Sequence, residues 1–313
     1  MASLRNTTGE NDEMDTEPVS VGVETLSNER LVMERPAVYV VATPIGNLAD
    51  IGARAVAVLG NVDRILCEDT RHSRRLLEHY AIDTPLSALH EHNERGVAAQ
   101  FVERLRERRE CCALISDAGT PLISDPGYVF VTDAIAAGLP VISVPGPCAL
   151  VAALAISGLP TDRFAFEGFL PSAAGTRTAR LEALAREPRT LIFYEAPHRL
   201  MASIAAMAEV FGAGRDAVVV RELSKRFETV YRASLGTLGD RLAADPNATR
   251  GELVILVAGA PESEFEQQLI DRTLAILLAD TDRKTAVRVA AALTGVGRNA
   301  LYRRSLELRP DGD

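Results

Sequence analysis

The chain has 313 residues, a formal charge of −9 and 47% hydrophobic content, enough to bury one large core or two of medium size. No apolar run reaches the roughly 20 residues that a bilayer span requires, and the N-terminus lacks the basic-then-apolar order of a signal peptide, so a cytoplasmic protein without a membrane partner is expected. Cys67, Cys111, Cys112 and Cys148 show no C-x-x-C spacing and sit in or beside apolar runs, which reads as buried thiols and no metal site.

Residues 1–35 hold eight acids, from Glu10 to Glu34, against Arg5, Arg30 and Arg35, and carry −5 of the net charge. Lacking a sustained apolar period, they read as a disordered acidic tail. From Ala37 the chain alternates short β-branched runs (37–43, 62–67, 85–91, 111–116, 140–145) with amphipathic stretches such as Asn93 to Glu110, which predicts a parallel sheet within an α/β domain over 36–158. "ISGLPTDR" (156–163) suits a linker. A second series of strand patterns (164–170, 190–196, 217–223, 228–235, 252–260) predicts another α/β domain over 159–261. Beyond it, helical patterns at about 264–279, 284–294 and 298–307 make 262–313 a basic helical appendage; from Arg283 to Arg309, the cations Arg283, Lys284, Arg288, Arg298, Arg303, Arg304 and Arg309 face one acid, Glu307.

In open α/β sheets ligands settle outside the carboxyl ends of the strands. The unusual residues of this chain gather there: "TPIGNL" (43–48), "EDTRHSRR" (68–75), "HEHNE" (90–94), "SDAGTPLISDPG" (116–127) and "PGPCA" (145–149). Each has a plain reading. Gly and Pro make turns, "EDTRH" suits a helix cap, and a lone histidine is more often structural than catalytic. Five such loops on one rim point instead to a ligand that meets the backbone. The first loop lacks G-x-G-x-x-G, and the two lysines, Lys225 and Lys284, end no phosphate loop, which disfavours a pyrophosphate ligand. A ligand with an amino-acid end, a ribose and an adenine fits, and S-adenosylmethionine is one.

The blocks "VYVVATPIGNLADI", "CEDTRHSRRLL", "LHEHNE", "LISDAGTPLISDPGY", "VPGPCA", "FEGFLP", "LIFYEAPHRL" and "VVVRELSKRFET", with "NALYRRSLEL" near the end, resemble the signature blocks of the ribosomal RNA small subunit methyltransferase I family, a branch of the tetrapyrrole methylase superfamily. The resemblance implies two α/β domains of the tetrapyrrole methylase type with an S-adenosylmethionine cleft between them, and a homodimer. It implies 2′-O-ribose methylation of a cytidine in the decoding region of small-subunit (16S) ribosomal RNA. Carried onto this chain, the cofactor would meet Pro44, Ala118, Gly119, Thr120, Ile123, Cys148, Ala149, Tyr194 and Leu223. Gly119 would bring the backbone to the cofactor, Asp117 would hold the turn or the ligand, and Asp125 would cap the next helix.

The acceptor hydroxyl needs an oriented base or a cation. Glu68, Asp69, Arg71, Glu195, His198, Arg199, Glu222 and Lys225 are the catalytic candidates, with Arg71 and Arg199 expected on phosphate; each could equally tie loops together. After "FEGFLP" the family's dense basic cluster is reduced to Arg177 and Arg180, which shifts the expected RNA contacts toward Arg71, Arg74, Arg75 and the C-terminal helices. Two rival readings stand beside this one: a sister methylase of a tetrapyrrole or other small molecule, and a non-catalytic RNA-binding protein.

Overall fold

The computed structural model describes residues 33–90, 93–261 and 264–308. Most of the acidic tail, Glu91, His92 and the last five residues lie outside the described residues.

The first sheet has strands β1 (Ala37–Val41), β2 (Arg64–Cys67), β3 (Leu86–Ala88), β4 (Cys111–Leu114) and β5 (Val141–Val144) in the order β3-β2-β4-β1-β5. Every pairing is parallel, as the β-α alternation predicts. The central strand β4 is buried along its whole length because helices cover both faces of the sheet. One face packs Val58 and Leu59 of α1 (Ala53–Asn61) and Leu77 of α2 (Thr70–His79); the other packs Val102 and Leu105 of α3 (Glu94–Arg108) and Phe130 of α4 (Tyr128–Ala136).

The second sheet has β6 (Phe164–Phe169), β7 (Thr190–Glu195), β8 (Asp216–Arg221), β9 (Thr229–Ser234) and β10 (Leu253–Val257) in the order β6-β7-β10-β8-β9. Here only β6 and β7 run parallel; β10 lies antiparallel between β7 and β8, and β9 antiparallel beside β8. Three helices, α6 (Ala174–Leu184), α7 (Leu200–Phe211) and α8 (Leu235–Ala243), cover one face through Leu181, Ile204 and Leu238. The other face takes α5 (Ala149–Ser157), whose Leu150, Ala153 and Leu154 pack on Ile192, Val218 and Val254. Thus α5 leaves the first sheet in sequence and seals the second in space. The last three helices, α9 (Glu264–Asp280), α10 (Arg283–Thr294) and α11 (Arg298–Leu308), close around Leu274, Leu278, Ala286, Ala290 and Leu301. No helix among the described residues is long and apolar enough to cross a membrane.

Candidate active site

A parallel sheet delivers all its strand-to-helix loops to one edge. On that edge the loop after β4 is pinned to the loop after β1: Thr43 N–H donates to the Gly119 carbonyl at 2.8 Å, and Gly119 N–H donates back at 3.1 Å. Gly119 holds φ +85°, where a side chain is strained, and a Cβ there would stand 3.1 Å from Ile45 Cγ2. The Thr120 hydroxyl donates to the Pro147 carbonyl at 3.0 Å and ties the loop after β4 to that after β5.

These loops and the ends of β7, β8 and β10 enclose a cavity of about 340 Å³, the size of a small-molecule site. The first-sheet side contributes Ile45, Ala118, Gly119, Thr120, Ile123 and Asp125; the start of α5 contributes Cys148 and Ala149; the second sheet contributes Phe169, Tyr194, Val220, Leu223 and Val254. Its apolar wall continues into the packing of α5 on the second sheet, against which Ile123, Cys148, Tyr194 and Leu223 also pack. Backbone strain concentrates at its edge: Leu122 (φ 72°), Ser124 (φ 68°), Glu222 (φ 52°) and Ser224 (φ 65°) are non-glycine residues in the left-handed region. Such conformations cost about 1–3 kcal/mol each and cluster where a site dictates the backbone.

Of the residues expected to hold the cofactor, Ala118, Gly119, Thr120, Ile123, Cys148, Ala149, Tyr194 and Leu223 line this cavity. Pro44 is buried next to Ile45 and is not part of the lining, and Asp117 accepts from the Asp69 N–H at 3.3 Å, fixing one loop to another. Tyr194 keeps its phenol proton: burial, with Cys148 and Asp125 nearby, pushes its pKa up to about 12.

The catalytic candidates divide differently. Glu195 alone among them lines the cavity, but its carboxylate is already used: it meets Arg199 at 2.5 Å, accepts from the Ser203 hydroxyl at 2.5 Å and accepts from the Ala196 N–H at 2.8 Å. Arg199 donates onward to the Leu170 carbonyl at 3.1 Å, so the pair anchors the turn after β7, and the expected phosphate contact is met instead by protein oxygen. Glu222 accepts from Lys225 Nζ at 2.9 Å and from Glu252 N–H at 2.9 Å, while Lys225 also meets Glu252 at 3.0 Å. Asp69 caps α2 through the Arg71 N–H at 2.8 Å, the plain reading of that block. Glu68 and His198 are exposed, and the Arg71 side chain, 92% exposed, meets Asp69 at 3.6 Å.

Asp125 departs from its expected role. Gly127 occupies the cap position of α4, with φ +122° and no side-chain hydrogen bond, and Asp125 turns to the cavity instead. Sequence reasoning missed it because Asp-Pro-Gly before a helix is a cap signature. It also missed Phe169, Val220 and Val254, which look like ordinary strand residues; only their places at strand ends could have marked them.

The fold is shared with solved structures: cobalt precorrin-4 methyltransferase superposes with a TM-score of 0.55 at 16% identity, covering 71% of this chain and 95% of that one. Diphthine synthase gives 0.53 at 13% identity, covering 71% and 89%. Residues 37–239 match the family model of Tetrapyrrole (Corrin/Porphyrin) Methylases, so fold and sequence together define a methyltransferase of that class. Residues 264–309 match the RsmI C-terminal HTH domain. The ribosomal RNA small subunit methyltransferase I of Pseudomonas aeruginosa is 54% identical over 278 residues, 88% of this chain and 98% of the relative; that of Escherichia coli O157:H7 is 48% identical over 271 residues, 86% and 94%. The chain belongs to the ribosomal RNA small subunit methyltransferase I family.

Proposed function

We propose that the chain methylates the ribose 2′-hydroxyl of a cytidine in the decoding region of small-subunit (16S) ribosomal RNA, with S-adenosylmethionine as donor. The observation that carries this is the cavity built by strand-end loops of both sheets, in a chain whose relatives over nearly their whole length are named small-subunit RNA methyltransferases. When bound, S-adenosylmethionine supplies a methyl group on a cationic sulfur.

The residues present fit that group. Ala118 and Thr120 bring backbone to one side, where Gly119, its own N–H and carbonyl held by Thr43, leaves room for close approach; Ile123, Ala149, Leu223 and Val254 offer apolar walls, and the lining contains no Lys, Arg or His among the described residues, which suits a ligand that is itself cationic. The site then acts mainly by orientation, which can supply several kcal/mol of the barrier. Arg71 at the rim and the exposed Lys284, Arg288, Arg298 and Arg303 of α10 and α11 supply phosphate contacts that position the RNA without reading its bases. Arg304 is held back from that role by Asp271 at 2.6 Å. A cytoplasmic homodimer belongs to the same proposal and is tested by light scattering.

The deciding experiment incubates the purified chain with methyl-labelled S-adenosylmethionine and small ribosomal subunits, then maps the label. Label on one cytidine, at a linkage made resistant to alkali, supports the reading. Label on a base, or transfer to a tetrapyrrole and none to subunits, overturns it.

A further inference from the structure

Methyl transfer to a ribose hydroxyl releases a proton, and the candidates singled out on the sequence do not have a free carboxylate in the cavity to receive it. Three carboxylates line it: Asp125, Glu195 and Glu252. Glu195 is matched by Arg199 and Ser203, and Glu252 by Lys225. Among the described residues Asp125 is matched by no cation; the nearby Ser116 hydroxyl lowers its pKa, and the charged groups acting on it, Glu68 from the end of β2 and Asp117 from the end of β4, are both negative. From β7 the facing group is Tyr194, which keeps its own proton.

We propose that Asp125 is the general base of the reaction, taking the proton of the acceptor hydroxyl through its carboxylate. This rests on the 2′-O-methylation reading above. As the oxygen–methyl bond forms, Asp125 takes the hydroxyl proton; the carbon–sulfur bond breaks with its electron pair left on sulfur, whose positive charge is thereby discharged. The other assignment for a lone carboxylate, a counter-ion to the cationic sulfur, would stabilise a charge that disappears in the transition state and would slow transfer. A base instead gains from its surroundings. Burial first, then Glu68 and Asp117, push the Asp125 pKa up to about 6, nearer the working pH and so more basic when ionised.

The same surroundings give a readout that needs no substrate. With a folded-state pKa of about 6, Asp125 costs the fold stability when ionised above that pH, and the cost is recovered as pH falls through 6 toward the ordinary carboxylate range. Asp125→Asn is therefore expected to fold, and to melt higher than the parent at pH 8, with the gap closing toward pH 5.

The experiment compares the full-length parent, Asp125→Asn and Asp125→Glu. For Asp125→Asn with small subunits, kcat is expected to fall about 100-fold or more while the calorimetric Kd for S-adenosylhomocysteine stays within about threefold, and Asp125→Glu to recover part of kcat. The parent's kcat rises with pH through a limb near 6, and that limb is missing from the residual activity of Asp125→Asn. A parent that methylates the 2′ position with Asp125→Asn within about threefold of it overturns the base alone. So does a defect confined to Kd, or a melting gap that does not change with pH. A parent that does not methylate the 2′ position overturns the base together with the reading it rests on.

Discussion

Gly119→Val perturbs the cavity at the point where the two first-sheet loops are pinned together. A side chain at φ +85° costs about 1–2 kcal/mol through the clash of Cβ with the following carbonyl. Its Cβ would stand 3.1 Å from Ile45 Cγ2 and 3.6 Å from the Pro147 carbonyl, and the two γ-carbons of valine add overpacking worth about 1–3 kcal/mol. The sum, about 2–5 kcal/mol, lies within what a domain of ordinary stability tolerates, so the far-ultraviolet circular dichroism should persist with a lower denaturation midpoint. Ile45 and the Thr43–Gly119 bridge relieve the clash only by displacing the wall. Returning that wall to its binding geometry takes about 1.4 kcal/mol or more from binding, a tenfold rise in Kd. Calorimetry with S-adenosylhomocysteine measures it, and an unchanged Kd in a folded variant would refute the reasoning.

Glu195→Ala leaves the largely buried Arg199 without its carboxylate and should cost about 3 kcal/mol in a denaturant titration, with activity falling only in proportion to the unfolded fraction; a fully folded variant without turnover would instead mark Glu195 as chemical. Cys148 is half-buried in the cavity wall, whereas Cys67, Cys111 and Cys112 are buried thiols pushed up by desolvation. Maleimide should therefore label Cys148 first, and S-adenosylhomocysteine should protect it; labelling that ignores the ligand would count against the cavity. Reversing the exposed Arg298 and Arg303 to glutamate should weaken binding to small subunits and flatten its log-salt slope by about 2, because each arginine neutralises about one phosphate; an unaltered slope would move the RNA surface elsewhere.

Much of this arrangement was legible from local pattern. The buried runs of β1, β4 and β10 and the three helices after residue 263 follow periodicity, and the Gly- and Pro-rich loops stood out because turns cannot be built without them. What escaped depends on contacts distant in sequence. Nothing in "ELVILVAGA" says that β10 inserts antiparallel between β7 and β8, and α5 looks like the last helix of the first series although its apolar side rests on the second sheet. The site shows the same division. Ala118, Gly119, Thr120 and Ile123 could be found as a loop, but which carboxylate remains available required knowing that Arg199 folds back onto Glu195 and that Lys225 reaches both Glu222 and Glu252. The left-handed backbone at Glu222 and Ser224 has no compositional sign at all, because neither residue favours it.

The most direct test of the central claim is a crystal structure of the chain with S-adenosylhomocysteine. The account predicts the ligand in the cavity between the sheets, its backbone contacts from Ala118 to Thr120 and its apolar contacts from Ala149, Leu223 and Val254. Ligand bound elsewhere, or touching one sheet alone, would contradict it.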